Sequence, residues 1–560
     1  MAEISELDIY ATRGEQMFPT LSPDEIDRLC RFGQPLSFAA GEAIVRVGEI
    51  GPGLALVLDG EIEVTQRVET GSTRHVVTHA RGNFMGELAQ LSGRPYLVDE
   101  IALTDAQIMA IPPDKLRALL IAEASLGERI MRALILRRVG LIESGAGPIV
   151  IGREGDADVL RLTNFLRRNG HPHQSLDPDT DSCGRTLVER FSVAAEELPI
   201  VLCPGGQILR NPSEGQLARC LGIARALDED RLFDVIIVGS GPAGLATAVY
   251  AGSEGLSVLM LDCRSFGGQA GASSRIENYL GFPTGISGIA LMARAFNQAQ
   301  KFGVEVAIPD EAIKLECGNN PFRIDFATGE RIKARTVVIA TGARYRRLEV
   351  DRLEEFEGTS VHYWASPLEA DLCRGEDIAL VGGGNSAGQA TVFLAEHAAT
   401  VTLVARRPLR ETMSSYLVDR IEGLANVHIV AGCEVAALKG EEGALDALCI
   451  RHRHSGEEAW HDVRYLFSFI GAQPNTDWLA ASGLERDGPG FLLAGGESRL
   501  PLETSRDGVF VVGDVRAGSV KRVASAVGDG AQVVAAIHAY LARQKQAEPM
   551  PQLMVETVTT

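Results

Sequence analysis

Short apolar runs broken by turn residues fill the first part of the chain, to about residue 125. Leu54-Ala55-Leu56-Val57-Leu58 runs into Asp59-Gly60, and Ile62 and Val64 then alternate with acids. That pattern predicts two strands joined as a hairpin. From Asp114 to Ile142 the period changes, with Leu116, Leu119, Leu120, Leu126, Ile130, Leu134 and Ile135 at helical spacing, which predicts one long helix. Gly145-Ala146-Gly147-Pro148 ends it. Between 148 and 224 the pattern predicts strands at 149–151, 173–176 and 200–202 and helices at 156–168, 183–191 and 212–221. After the acidic link Asp228-Glu229-Asp230, strands and helices alternate again from 231 to 545, the pattern of an α/β fold. Residues 546–560 read as a loose tail.

Composition narrows the function classes. With 45% hydrophobic and 23% charged residues over 560 positions, most of the chain can bury a core, and the length suits about three to five domains. Lys plus Arg is 54 against 74 for Asp plus Glu, a net charge of −20. Such a chain is a poor partner for nucleic acid or an anionic membrane. No apolar run reaches the roughly 18 residues of a membrane-spanning helix. The acidic start, Met1-Ala2-Glu3-Ile4-Ser5-Glu6, lacks the order of a signal peptide, so the expected location is cytoplasmic. The nine cysteines are scattered, odd in number and never spaced C-x-x-C, which argues against a disulfide framework and a zinc ribbon, and no metal site is expected.

Two stretches carry the spacing of a dinucleotide fingerprint. The apolar run Phe233 to Val238 enters Gly239-Ser240-Gly241-Pro242-Ala243-Gly244; a helical stretch follows, and the next strand ends at Asp262. Glycines there let backbone approach a pyrophosphate at a helix N-terminus, and the acid accepts from ribose hydroxyls. The second copy runs from Asp377-Ile378-Ala379-Leu380-Val381 into Gly382-Gly383-Gly384-Asn385-Ser386-Ala387. Its second strand ends at Ala405-Arg406-Arg407, with Arg410 close behind, instead of at an acid. Guanidinium groups clamp a 2′-phosphate that an acid would repel. The first site is thus expected to hold FAD and the second NADPH. Further flavin contacts are expected from Gly268 and Gln269, from Asn278, from Thr341 and Gly342 after the strand Val337 to Ile339, and from Gly513 and Asp514, whose carboxylate suits a ribityl hydroxyl.

With GSGPAG, FGGQ, IEN, IATGA, VGGGNSA, ARRPLR, IGAQPNT and GDVR…RVASAVGDGA in this order, residues 231–545 resemble the low-molecular-weight thioredoxin reductases of bacteria. The resemblance implies two Rossmann-like domains: an FAD domain at 231–346 and 470–545, with an NADPH domain inserted at 347–469. It also implies a homodimer, FAD contacts from Arg522 and Val523 and an NADPH contact from Gly471. That family carries a C-x-x-C pair just before the second fingerprint. Here the stretch reads Val361-His362-Tyr363-Trp364-Ala365-Ser366-Pro367-Leu368. Anchored upstream, the cysteines become Trp364 and Pro367; anchored on Gly382, they become Ala365 and Leu368. The acid that follows the pair is read as missing too, and Cys373 stands alone. Thiol–disulfide exchange needs an attacking and a resolving thiol. No residue is therefore assigned a catalytic role. Trp364 has two readings, a place beside the isoalloxazine or packing in the core.

Residues 148–224 resemble a thioredoxin fold, with Leu198-Pro199 at the cis-proline position and Asp177-Pro178-Asp179-Thr180 as its loop. The redox pair would fall within Gly152 to Asp158, where no cysteine stands. Residues 1–142 resemble a cyclic-nucleotide-binding domain, a β-roll plus helices, with Phe84 to Tyr96 as the phosphate cassette. The resemblance gives ligand roles to Gly86, Glu87 and Leu88, with Arg94 as the alternative partner for the phosphate. The arginine nine or ten residues past the glutamate is replaced by Tyr96 and Leu97, while Arg94 lies two residues early. An unpaired phosphate is costly to bury, so weak or no binding of cAMP or cGMP is expected.

The leading expectation is an FAD-dependent NADPH oxidoreductase serving a ferredoxin, flavodoxin, quinone or similar acceptor, with control by the N-terminal domain. Two alternatives stand beside it: a disulfide reductase using distant cysteines such as Cys203 and Cys220, and a nucleotide-binding redox sensor with little turnover.

Overall fold

The computed structural model describes residues 9–67, 73–144, 146–204, 206–224, 227–273, 275–318, 320–365, 367–441 and 443–547. Of the expected tail, 548–560 lie outside the described residues, and 546–547 close the helix Val523–Ala547. Two compact units divide the chain: residues 1–226, 262–310 and 345–472 form one, and 227–261, 311–344 and 473–560 the other. No helix among the described residues is long and apolar enough to cross a membrane.

The first unit opens with two four-stranded antiparallel sheets. One runs Gln34–Phe38, Ala106–Ile111, Leu54–Asp59, Phe84–Met85; the other Ala43–Val45, Asp99–Ala102, Ile62–Arg67, Thr73–His79. The hairpin expected at Asp59-Gly60 is therefore not one, because the strands before and after it belong to different sheets. Gly60, at φ +83°, docks on a second turn, where a Cβ would lie 2.5 Å from the Asp105 carbonyl. Glu61 N–H then donates to Thr104 Oγ1, so the chain turns a corner between sheets.

The helix expected at 114–142 is two, Pro113–Ala122 and Ala124–Glu143, broken at Glu123 (φ −113°, ψ 78°). Gly127 permits the close return, since a Cβ there would meet the Leu120 carbonyl at 2.9 Å. Both helices and the first sheet share one apolar core, including Leu54, Leu56, Phe84, Leu116 and Ile130.

Next comes a four-stranded mixed sheet in the order Gln174–Leu176, Ile149–Ile151, Ile200–Leu202, Ile208–Arg210. The first pair is parallel and the others antiparallel. Helices Ala157–Arg168, Ser182–Arg190 and Glu214–Cys220 fall close to their expected places; the edge strand Ile208–Arg210 was not foreseen. The Leu198–Pro199 peptide is cis.

The rest of this unit carries the second fingerprint on a five-stranded parallel sheet, ordered Val361–His362, Tyr465–Ser468, Asp377–Val381, Thr400–Ala405, Val427–Ala431. An antiparallel meander, Cys433–Glu441, Ala444–His452 and Glu458–Asp462, packs into its core through Val435, Leu448 and Ile450.

In the second unit Leu232–Val238 lies parallel between Val258–Leu261 and Arg331–Ile339, with Val509–Val511 parallel beyond. Phe322–Phe326 and Ala312–Glu316 continue the sheet antiparallel. Fully buried strands of Val, Ile and Leu suit a sheet covered on its faces.

Candidate functional site

In the second unit the strand Leu232–Val238 ends at Gly239, whose φ of +108° and whose neighbour, the Ala340 carbonyl at 2.3 Å from a Cβ, both require glycine. Gly244 is as tightly placed, with a Cβ only 1.9 Å from the Gly239 carbonyl. Gly241 is different: its backbone is extended (φ −71°, ψ −176°), it caps the helix Pro242–Ser253, and no side chain caps that helix in its stead. The first-turn N–H groups, starting from Ala243 because Pro242 has none, are thus left to a ligand. This fits a dinucleotide pyrophosphate.

Two loops of the same unit are held by residues that the sequence reading quoted only inside motifs. Thr341 Oγ1 donates to the Asn475 carbonyl at 2.8 Å, and Asn475 returns a bond from its amide to the Thr341 carbonyl at 3.0 Å. Asn475 N–H donates to the Gly342 carbonyl. Asp529 accepts from Gly513 N–H at 3.0 Å and from both arms of Arg516 at 3.1 Å. The turn carrying Asp514 is fixed in this way, and the Asp514 carbonyl accepts from Lys521. Burial raises the Asp514 carboxyl above its ordinary value, partly offset by Lys521. Arg522 is exposed, and Val523 opens the long helix Val523–Ala547.

The remaining expected flavin residues belong to the first unit. Asp262 spends one carboxylate oxygen on the N–H groups of Arg264 and Ser265. Gly268 and Gln269 open the short helix Gly268–Gly271 after Gly267 (φ +97°), and Asn278 is exposed in the following loop. The end of the helix Ala157–Arg168 grips this segment: Arg168 donates to the Gly268 carbonyl at 2.9 Å and Asn169 to the Arg264 carbonyl at 3.1 Å.

The second fingerprint is built like the first. A Cβ on Gly382 would lie 2.6 Å from the Phe469 carbonyl, Gly384 caps the helix Asn385–Leu394, and no side chain caps it. The space around Gly384 is open. Asn385 accepts from Ser414 N–H and Thr412 donates to the Gly383 carbonyl, so the stretch after the arginines clamps the turn. Ser386 and Ala387 continue the helix, and Gly471 (φ +104°) accepts from Arg346 N–H. The arginines differ from expectation. Arg410 does not join the pair; Asp419 at 3.0 Å and Glu422 at 2.6 Å hold its guanidinium. Arg406 lies 3.7 Å from Glu434, whereas Arg407 enters none of the ion pairs among the described residues. Arg407 is exposed.

The stretch that replaces the C-x-x-C holds no thiol. Trp364 donates from its indole to Glu369 at 2.8 Å. Glu369 is buried and corrects the sequence reading: it directly follows Leu368, so in the register anchored on Gly382 the acid is present. Trp364 itself is half-buried. Cys373 is buried, its thiol donates to the Ala370 carbonyl, and burial pushes its pKa up to about 11.

The cassette is filled by the helix behind it. Arg138 pairs with Glu87 at 3.3 Å, both largely buried, and also donates to the Gly170 carbonyl at 3.0 Å. Arg137 donates to the carbonyls of Gly86 and Met17 and lies over the rings of Phe84 and Phe18. Tyr96, in place of the phosphate arginine, donates to the Gly53 carbonyl. Leu88 opens a short 3-10 turn. Glu100, buried against this cluster, has its carboxyl pushed up to about 8, mostly by burial and against the pull of Arg137.

In the mixed sheet, the place expected for a redox pair holds Gly152, with a Cβ only 3.0 Å from Pro199, and Asp156 capping the next helix. A disulfide stands elsewhere, between Cys203 and Cys220. Among the described residues no group of three or more His, Cys, Asp or Glu is placed to hold a metal ion.

Comparison with known proteins identifies the family. Residues 233–530 match the pyridine nucleotide-disulphide oxidoreductase family and residues 35–123 the cyclic nucleotide-binding domain. The chain is 31% identical over 315 residues to the thioredoxin reductase of Bacillus subtilis (strain 168), covering 56% of this chain and 96% of that protein. It is 33% identical over 303 residues to the bifunctional thioredoxin reductase/thioredoxin of Mycobacterium leprae (strain TN), covering 54% and 64% respectively. Among solved structures it resembles the T. acidophilum thioredoxin reductase, with a TM-score of 0.52, 29% identity, and 56% and 100% coverage. The family uses FAD and NADPH. With two uncapped glycine-turned helices, a basic pair after the second and these matches, the chain belongs to the pyridine nucleotide-disulphide oxidoreductases, as a thioredoxin reductase-like flavoprotein oxidoreductase joined to a cyclic nucleotide-binding domain.

Proposed function

We propose that this chain oxidises NADPH and passes the electrons to an acceptor that is not a disulfide, such as a ferredoxin, flavodoxin or quinone. The observation that carries this is the segment Trp364 to Cys373, which offers a half-buried indole bonded to the buried Glu369 and one buried thiol of raised pKa where two exchangeable thiols would be needed. When bound, FAD supplies the hydride acceptor and the electron store. The chain's own residues do the positioning: the helices starting at Pro242 and Asn385 present N–H groups to pyrophosphates, and Arg407 and Arg406 receive the 2′-phosphate. Asn475 and Asp529 fix the loops that carry Thr341 and Asp514. The active form is a homodimer in the cytoplasm.

The test is an anaerobic NADPH titration of the purified flavoprotein, followed by its visible absorbance. One NADPH per flavin is expected to bleach it completely. The Cys203–Cys220 bridge favours a second reading, a disulfide reductase with non-standard cysteines, and that reading requires two NADPH per flavin. No bleaching would leave the sensor.

The N-terminal domain acts in this reading as a regulator that does not bind cAMP or cGMP, because Arg138 already pairs with one carboxylate oxygen of Glu87 and the phosphate arginine's place is taken by Tyr96. Calorimetric titration with either nucleotide is expected to give no heat of binding; a clear isotherm would refute this.

A further inference from the structure

The disulfide lies outside both segments where a dithiol was expected. Cys203 directly follows the strand Ile200–Leu202, and Cys220 ends the helix Glu214–Cys220. Seventeen positions separate them, and their Cα atoms are 6.7 Å apart, inside the span a disulfide bridges. The two sulfurs differ in surroundings. Cys203 is buried among Val150, Val159 and Leu217, while Cys220 sits at the edge of that cluster, only partly covered.

Exchange requires one sulfur that a thiolate can reach and another that can leave. Cys220 is the reachable one, and Cys203 leaves inward. The reduced form is provided for as well, because Gln207 Oε1 lies 3.4 Å from Cys220 Sγ, placed to accept its S–H once the bridge is opened. Five of the seven free thiols are disfavoured as competitors: burial raises those of Cys30, Cys317, Cys373, Cys433 and Cys449, which lowers their thiolate fraction. Two residues beyond Cys220, Gly222 abuts the cassette, where a Cβ would lie 2.6 Å from the Pro95 ring.

We propose that Cys203–Cys220 is a redox-active disulfide that exchanges with an external protein dithiol. A donor thiolate attacks Sγ of Cys220 and forms a mixed disulfide; the Cys203–Cys220 bond breaks, and Cys203 leaves as a thiolate that takes up a proton. The donor's second thiol then attacks the mixed disulfide and releases Cys220 as a thiol. Two electrons and two protons pass to the pair, and the donor dithiol becomes a disulfide.

The test uses the full-length, air-equilibrated flavoprotein, with dithiothreitol as the dithiol probe. Thiols counted after denaturation should rise from seven in untreated protein to nine after the native protein has met the probe, and return to seven with oxidised probe. Nine thiols in the untreated protein would overturn the proposal. So would a pair that opens only after unfolding, the behaviour of a purely structural bridge. Cys203→Ser protein exposed to oxidised glutathione should carry glutathione on Cys220, and Cys220→Ser protein should carry none on Cys203; the reverse would refute the direction of attack. An NADPH arm separates this site from the acceptor proposed above. One equivalent per flavin should leave the count at seven, whereas a rise to nine with NADPH alone would show delivery from the flavin and overturn the external donor.

Discussion

Arg407 and Arg410 sit three positions apart and have different surroundings. Asp419 and Glu422 hold the Arg410 guanidinium, so Arg410→Ala should leave the KM for NADPH within about twofold of the wild type. Arg406→Ala with Arg407→Ala removes the cations for the 2′-phosphate and should raise the KM for NADPH at least tenfold over any change for NADH, about 1.4 kcal/mol of discrimination. Steady-state kinetics with both nucleotides checks this, and equal effects would refute the assignment. Gly241 needs no positive φ, so its backbone conformation admits Val. Gly241→Val protein should fold, keep its far-ultraviolet spectrum and be purified colourless; yellow protein would place the flavin elsewhere. Glu100 shows a different residue-scale effect. Its carboxyl titrates near 8 when folded and near 4.5 when unfolded, so between those values the folded state holds the extra proton. Stability therefore falls as pH rises through that window, by at most a few kcal/mol, and levels off above it. Glu100→Gln should flatten this slope in thermal melts recorded from pH 5 to pH 8.5.

At the scale of elements, the fold was legible wherever a local pattern fixed a local structure. Both glycine turns, the three helices of the 148–224 stretch and most strands follow from periodicity and capping, which act over a few residues. Asp59-Gly60 misled because the dipeptide specifies a turn and says nothing about which strand each arm will pair with. The break at Glu123 was invisible because Leu116 to Ile135 keep helical spacing on both sides, and only the contact of Gly127 with Leu120 turns the chain. At the site, Glu369 was missed through the choice of register, and Cys203–Cys220 through the distance of 17 residues between the partners. Asn475 and Asp529 act through loops brought together from remote sequence, which no motif spacing reports. The helix Ala124–Glu143 carries its own test. Arg138→Met leaves Glu87 buried without its cation and should cost on the order of 3 kcal/mol in chemical denaturation. An unchanged midpoint would mean that the pair is not maintained in solution.

The whole molecule joins a cyclic nucleotide-binding domain to a flavoprotein oxidoreductase. The net charge of −20 favours solubility and disfavours polyanions, and the acceptor surface must work against that field. If the acceptor is itself acidic, as small electron carriers often are, turnover should accelerate as ionic strength rises from about 10 to 150 mM, because screening relieves the repulsion. A fall in rate over that range would point to a basic partner instead. Inside the first unit, residues 168–170 meet two separate stretches of chain: Gly170 accepts from Arg138, while Asn169 and Arg168 reach Arg264 and Gly268 of one segment. A chain cut once between 144 and 149 should therefore not come apart: the two fragments would travel together on gel filtration, and separately expressed halves should reassemble by complementation.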